Sequence, residues 1–174
     1  MSNLFNQISE EDYARGASDA KITLLEYGDY ECPYSRMGYR FAQMLLRNYS
    51  DSLKFVFRNF PLRKKHPNAQ LAAEAALCAG AQDRFWEMHD LLFEHNRTLS
   101  ESRILDFAED IGLDLYRFKV DLTTNEYAKR VTTDFRGGVR SGVDDTPAFF
   151  VNGERYSGEL DYKQLKAFVD TFLN

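Results

Sequence analysis

Only two cysteines, Cys32 and Cys78, occur in 174 residues, and no C-x-x-C pair exists. That excludes a disulfide-stapled scaffold, and a chain of this length buries enough apolar surface to fold without one. Three histidines, His66, His89 and His95, lack metal-ligand spacing around a cysteine, so no four-ligand zinc set is supplied and no metal is expected. No apolar run approaches the roughly 18 residues of a membrane span. The opening MSNLFNQISEEDYARG has neither a basic n-region nor an apolar h-region, so the sequence predicts a cytoplasmic protein. Basic charge is scarce too. With 22 Lys+Arg against 27 Asp+Glu, the net charge is -5, which argues against tracking a nucleic-acid backbone. G-x-G-x-x-G, Walker and nucleophile-elbow motifs are missing, which removes nucleotide-binding and esterase readings. What remains, 44% hydrophobic and 28% charged, is the composition of an ordinary soluble globule.

Residues 1–19 are polar and read as an N-terminal arm. Residues 21–27 (KITLLEY) form a short β-branched apolar run closed by Gly28-Asp29, a buried strand. Pro33 suits a first helical turn, and Met37, Phe41, Leu45 and Tyr49 continue a helical stripe. Residues 53–60 (LKFVFRNF) alternate again up to Pro61, completing a βαβ unit with a right-handed crossover. Helical patterns then fill residues 61–145. An Ala-rich helix ends at Gly80, Asp83 is placed to cap the next, and Ser100 caps another inside a Leu99/Ile104 staple. Asp114 starts a short turn, and a longer helix begins near Thr124. The Asn152-Gly153 pair predicts a type I′ hairpin, and Asp161 with Gln164 opens the last helix. The predicted architecture is α/β: βαβ, then a helical insertion, then ββα, on a mixed sheet.

The chemistry concentrates in GDYECPYS. A cysteine just before a helix sets its sulfur against unpaired N–H groups and the positive dipole end, which favours thiolate over thiol. Its place after a strand and before Pro33 predicts an exposed, reactive Cys32. Packing as a small buried hydrophobe is the competing reading. Cys78, inside LAAEAALCAGA, is expected to pack between helices. Arg58, Arg63, Lys64, Lys65 and His66 form a basic patch, either a solvated face or an attractor for acidic partners. Phe85, Trp86 and Phe93 read as core.

Taken together, LLEYGDYECPYS, FRNFPL, HPNAQLAAEAA, FWEMHDLLF and TPAFFVNG resemble the DsbA-like thiol–disulfide oxidoreductases of the thioredoxin superfamily. The chain is similar also to thioredoxin-like modules fused to sodium/proton antiporters. The resemblance covers residues 20–172. It implies a thioredoxin-like domain from residues 20–60 and 146–174, with residues 61–145 as the helical insertion. Carried over, Cys32 matches the nucleophile, and Pro33-Tyr34 match the variable dipeptide that meets substrate. Thr146-Pro147 matches a cis-proline loop whose Thr146 backbone groups are exposed to an extended peptide. Glu26 matches an acidic residue beneath the active site. It is either a proton acceptor or a satisfied strand-end carboxylate.

The departure from the family is Ser35, which stands where a second cysteine is usual. Two origins fit it, a natural monothiol protein or an engineered Cys→Ser change. With Ser35, Cys32 can form a mixed disulfide but cannot close an internal one. The implied activity is monothiol exchange with cysteine-containing protein or peptide substrates. No bound cofactor is expected, and glutathione or another thiol would act as co-substrate. The Ser35 hydroxyl is expected to donate to the Cys32 thiolate. Asp145, where relatives often have a small residue, is expected to weaken that thiolate or favour basic substrates. Two rivals stay open, a redox-inactive peptide-binding module and a glutathione-dependent transferase or isomerase.

Overall fold

In the computed structural model, which describes residues 4–173, the two apolar runs lie side by side at the centre of a five-stranded sheet. The strands are β1 (Ala14–Gly16), β2 (Ile22–Gly28), β3 (Leu53–Asn59), β4 (Ala148–Val151) and β5 (Glu154–Arg155), in the order β1-β3-β2-β4-β5. The β2–β3 pair is parallel and the other pairs are antiparallel. Helices cover both faces, which explains the near-continuous hydrophobicity of β2 and β3. Ile22, Leu24, Phe55 and Phe57 point into the larger core, while Leu25, Tyr27 and Val56 point into the smaller one.

Helix α1 (Pro33–Asn48) returns the chain from β2 to β3. Between β3 and β4 come α2 (Ala69–Gly80), α3 (Phe85–Glu94), a 3₁₀ turn (Asn96–Thr98), α4 (Glu101–Asp110), α5 (Leu115–Thr123) and α6 (Ala128–Arg140); α7 (Tyr162–Asp170) ends the fold. Helices α2 to α5 feed the larger core, and Phe135 of α6 packs against the smaller. Capping side chains fix several helix starts. Ser100 accepts from Arg103 N at 3.2 Å, Asp114 from Arg117 N at 3.0 Å and Asp161 from Gln164 N at 3.0 Å. Asn152 and Gly153 have φ of 48° and 83°, as a type I′ hairpin requires. Among the described residues, no helix is long and apolar enough to cross a membrane.

Four local expectations change. Asp83 caps nothing; it sits in the left-handed region (φ 60°) and Arg84 occupies the N-cap. The segment after Asp114 is a nine-residue helix, not a short turn. The helix expected from Thr124 begins at Ala128, because Asn125 turns left-handed (φ 54°). The N-terminal arm supplies strand β1, and it is fastened by more than that pairing. Leu4 N donates to Gly153 O at 3.0 Å, and Arg58 reaches Asp12 through Nε and Nη2 at 2.8 Å each.

Candidate active site

Strands β2 and β3 end, and β4 begins, at the same edge of the sheet, and α1 starts there. Open α/β sheets commonly bind ligands at this edge. Cys32 is the N-cap of α1, with extended backbone (φ −72°, ψ 124°) and Pro33 in the first turn. Pro33 needs no N–H partner there. The Cys32 carbonyl accepts the Arg36 N–H at 3.1 Å and the Asn96 side-chain amide at 3.2 Å. Its thiol donates to the Thr146 carbonyl, with Sγ···O of 3.5 Å. The chain thus brings Cys32 and the Thr146-Pro147 loop together across 114 positions, and the Thr146–Pro147 peptide bond is cis.

Three expectations about this site are corrected. Cys32 is buried, 3% exposed, because the Thr146 loop covers its sulfur and Asn96 its carbonyl; Tyr34, at 61%, is the exposed residue of the motif. Ser35 is fully buried, and its hydroxyl makes no hydrogen bond to the Cys32 sulfur among the described residues. Its Oγ accepts the Asp29 N–H at 3.1 Å, so the hydroxyl braces the loop before the helix. The Thr146 backbone is not free: its N–H donates to Asp145 Oδ1 at 3.0 Å, and its carbonyl holds the Cys32 thiol. Thr146 Oγ1 is buried without a partner.

Glu26 lies on the larger-core face of β2, opposite Phe149 in the β2–β4 register. It is fully buried and neither carboxyl oxygen has a hydrogen-bond partner. Desolvation alone pushes its pKa well above the ordinary carboxylate range. The satisfied-carboxylate reading fails. Gly38 of α1 roofs it: a Cβ there would lie 2.9 Å from Glu26 Oε1, 3.0 Å from Phe149 Cζ and 3.1 Å from Pro147 Cβ. Glu26, Pro147 and Phe149 therefore converge beneath the first turns of α1. Gly38→Ala is expected to lower stability by about 1–2 kcal/mol, because overpacking outweighs a helix-propensity gain of about 1 kcal/mol. A urea midpoint at or above that of the unsubstituted protein would contradict this packing.

Sequence patterning did not single out Asp29, His66 as its partner, or Asn96. Buried Asp29 accepts from Glu31 N (2.8 Å) and Leu62 N (2.9 Å), and its Oδ2 meets His66 Nδ1 at 2.8 Å. Glu31 grips Asn68 through N (2.7 Å) and Nδ2 (2.9 Å). The loop carrying Cys32 is thus clamped to residues 62–68. The basic patch shrinks accordingly: Arg58 is buried on the smaller-core face with Asp12, and His66 is engaged with Asp29. Asp145 is not an uncompensated charge, since Lys65 Nζ lies 3.4 Å from its Oδ1. Cys78 is fully buried in α2, where desolvation raises its pKa to about 12.

A βαβ–helices–ββα sheet with a cysteine at the first helix N-terminus, facing a Thr-Pro loop, defines the thioredoxin class of folds. The comparisons agree. Residues 8–171 match the family described as Thioredoxin. The chain is 42% identical over 160 residues to the Na(+)/H(+) antiporter NhaA 1 of Salinispora arenicola, covering 92% of this chain and 24% of that protein. It is 35% identical over 161 residues to the Na(+)/H(+) antiporter NhaA of Herminiimonas arsenicoxydans, covering 92% and 25%. The chain therefore spans about a quarter of the length of the curated relatives it matches. Among solved structures, BdbD from Bacillus subtilis superposes with a TM-score of 0.85 at 24% identity, over 99% of both chains. A thioredoxin-like oxidoreductase from Silicibacter pomeroyi gives 0.80 at 26%, covering 97% and 94%. The chain belongs to the thioredoxin family, and its fold is that of BdbD and of the Silicibacter pomeroyi protein.

Proposed function

We propose that the protein catalyses thiol–disulfide exchange through Cys32 as its single reactive thiol. The carrying observation is Cys32 at the α1 N-terminus, its sulfur against the Thr146 carbonyl, with Ser35 in the position of a second thiol. In the forward step the Cys32 thiolate attacks one sulfur of a substrate disulfide. A Cys32–substrate disulfide forms, and the other substrate sulfur leaves as a thiolate, so the electron count is unchanged. An external thiol of the glutathione class then attacks the mixed disulfide and releases Cys32 as thiolate. Glu26, buried beneath Gly38 with a raised pKa, serves in this reading as the proton store for the exchanging thiols. A cysteine-bearing polypeptide would add along the Thr146-Pro147 loop, displacing the Cys32 thiol and the Asp145 carboxylate from Thr146. Tyr34 and Pro33 would meet it from the helix side.

Cys78 offers no competing route. A thiol with pKa near 12 is almost wholly protonated at neutral pH, whereas Cys32 stands at the N-terminus of α1. Iodoacetamide at pH 7 is therefore expected to label Cys32 at least about a hundredfold faster than Cys78 in the native protein. Peptide mapping by mass spectrometry reads the two sites separately. Equal, slow labelling of both would support a redox-inactive peptide-binding module instead.

A further inference from the structure

Beside the reactive edge lies a concavity of about 350 Å³, at the small end of ligand clefts, which run to roughly 300–1,000 Å³. Leu62 and Phe135 give it an apolar floor, and Arg63, Lys64 and Lys65 give it a cationic rim. Both of its ends are tied to the site. Leu62 N donates to Asp29, whose carbonyl accepts the Cys32 N–H. At the other end Asp144 precedes Asp145, which pairs with Lys65 and holds Thr146 N. The acidic groups there are engaged: Asp144 with Arg155 at 3.5 Å and Asp145 with Lys65. Arg63 lies over Phe135 at 5.7 Å, and its side chain hydrogen-bonds, among the described residues, only the neutral Gln70, at 2.7 Å. Lys64 makes no ion pair among the described residues. On a chain of net charge -5, Arg63 and Lys64 beside an apolar floor, neither paired with a carboxylate among the described residues, leave a local excess of positive charge.

The geometry points to this basin as a substrate subsite. It takes an apolar or aromatic side chain with neighbouring carboxylates, on a polypeptide whose cysteine is engaged at Cys32. This rests on the exchange reading above and adds a specificity to it. The floor removes the apolar side chain from water, and Arg63 and Lys64 receive the carboxylates. Exposed charge pairs contribute modestly and are screened by salt, so the effect belongs mainly to association rate and selectivity. The basic-substrate preference expected from Asp145 alone is replaced by an acidic one, since Lys65 already answers Asp145.

The test uses two eight-residue peptides, each with one cysteine blocked as a 2-nitro-5-thiobenzoate disulfide. One carries Phe and two Glu beside the cysteine, and the other carries Phe and two Lys. Attack by Cys32 on the peptide sulfur forms the mixed disulfide and releases the coloured thiolate. Each rate is divided by the same peptide's rate with 2-mercaptoethanol, which removes intrinsic reactivity. The expected result is a preference of about fivefold or more for the acidic peptide at low salt, falling toward unity at 0.5 M salt. In Arg63→Glu/Lys64→Glu the preference should invert, each rate being referred to that variant's own rate with bis(2-hydroxyethyl) disulfide. Equal normalised rates, or a preference the double substitution leaves in place, would overturn the subsite while leaving exchange intact. No reaction even with the neutral disulfide would overturn the exchange reading and the subsite with it.

Discussion

Ser35→Cys is expected to turn a protein that stops at a mixed disulfide into one that completes a dithiol cycle. With excess oxidised glutathione, the protein as it stands should accumulate a single glutathione adduct on Cys32. The variant should pass through the same adduct and lose it as the new thiol closes an internal disulfide. Residues 32 and 35 are one turn apart at the start of α1, on a shared face, so the second thiol is already oriented. An oriented intramolecular nucleophile greatly outcompetes a dissolved one, and dithiol-dependent turnover should rise at least about tenfold. Ser35 is buried and its Oγ accepts the Asp29 N–H, so sulfur at that position weakens one hydrogen bond, a cost of about 1 kcal/mol. Intact-protein mass spectrometry after each oxidation separates adduct from internal disulfide. The monothiol account is sunk if the unsubstituted protein, with Cys78→Ala, already yields an internally oxidised species or a full dithiol cycle. An adduct that persists in the variant would show that position 35 cannot reach the Cys32 sulfur.

Local signals carried the placement of Cys32 and missed its burial, and the reason is physical. Strand β2 and the start of α1 are encoded in contiguous residues, as apolar runs, a Gly-Asp stop and a proline suited to the first turn. The groups that cover Cys32, Thr146 and Asn96, arrive from 114 and 64 positions away. Nothing near Cys32 in sequence announces them. Arg58 shows the complementary failure. Linear proximity groups it with Arg63 and Lys64, but strand alternation turns it to the face of Val56, where Asp12 meets it. Strand β1 was illegible for a third reason. Three residues, Ala-Arg-Gly, carry no periodicity, and their pairing with β3 is decided by tertiary contact. Glu26 lay between these cases, its position legible from the strand and its lack of any partner legible only from the packed fold.

Replacing Glu26 should raise stability in a pH-dependent way while impairing exchange. Its folded-state pKa is raised above the ordinary value of 4.5 by burial without a compensating partner. Well below pH 4.5 the carboxyl is protonated whether the chain is folded or not, and the group costs nothing through ionisation. Above that, the unfolded chain releases the proton while the folded protein keeps it. The folded state then binds more protons, and stability falls as pH rises, by up to about 1.4 kcal/mol per pH unit. The loss continues until the raised folded-state pKa is reached, so the window opens near pH 4.5 and extends upward from there. Glu26→Gln keeps the shape and removes the ionisation. Its advantage over the unsubstituted protein should be small at pH 4 and grow as pH rises above 4.5, levelling off once the folded protein also releases the proton, read from urea unfolding at each pH. The other carboxylates with shifted values, Asp12, Asp134 and Asp170, are common to both proteins and cancel in the difference. If Glu26 takes and returns the proton of the exchanging thiols, the same variant should lose at least about a hundredfold in the mixed-disulfide step. Parallel stability curves would refute the raised pKa. An unchanged exchange rate beside diverging curves would leave Glu26 as a buried acid with no part in the chemistry.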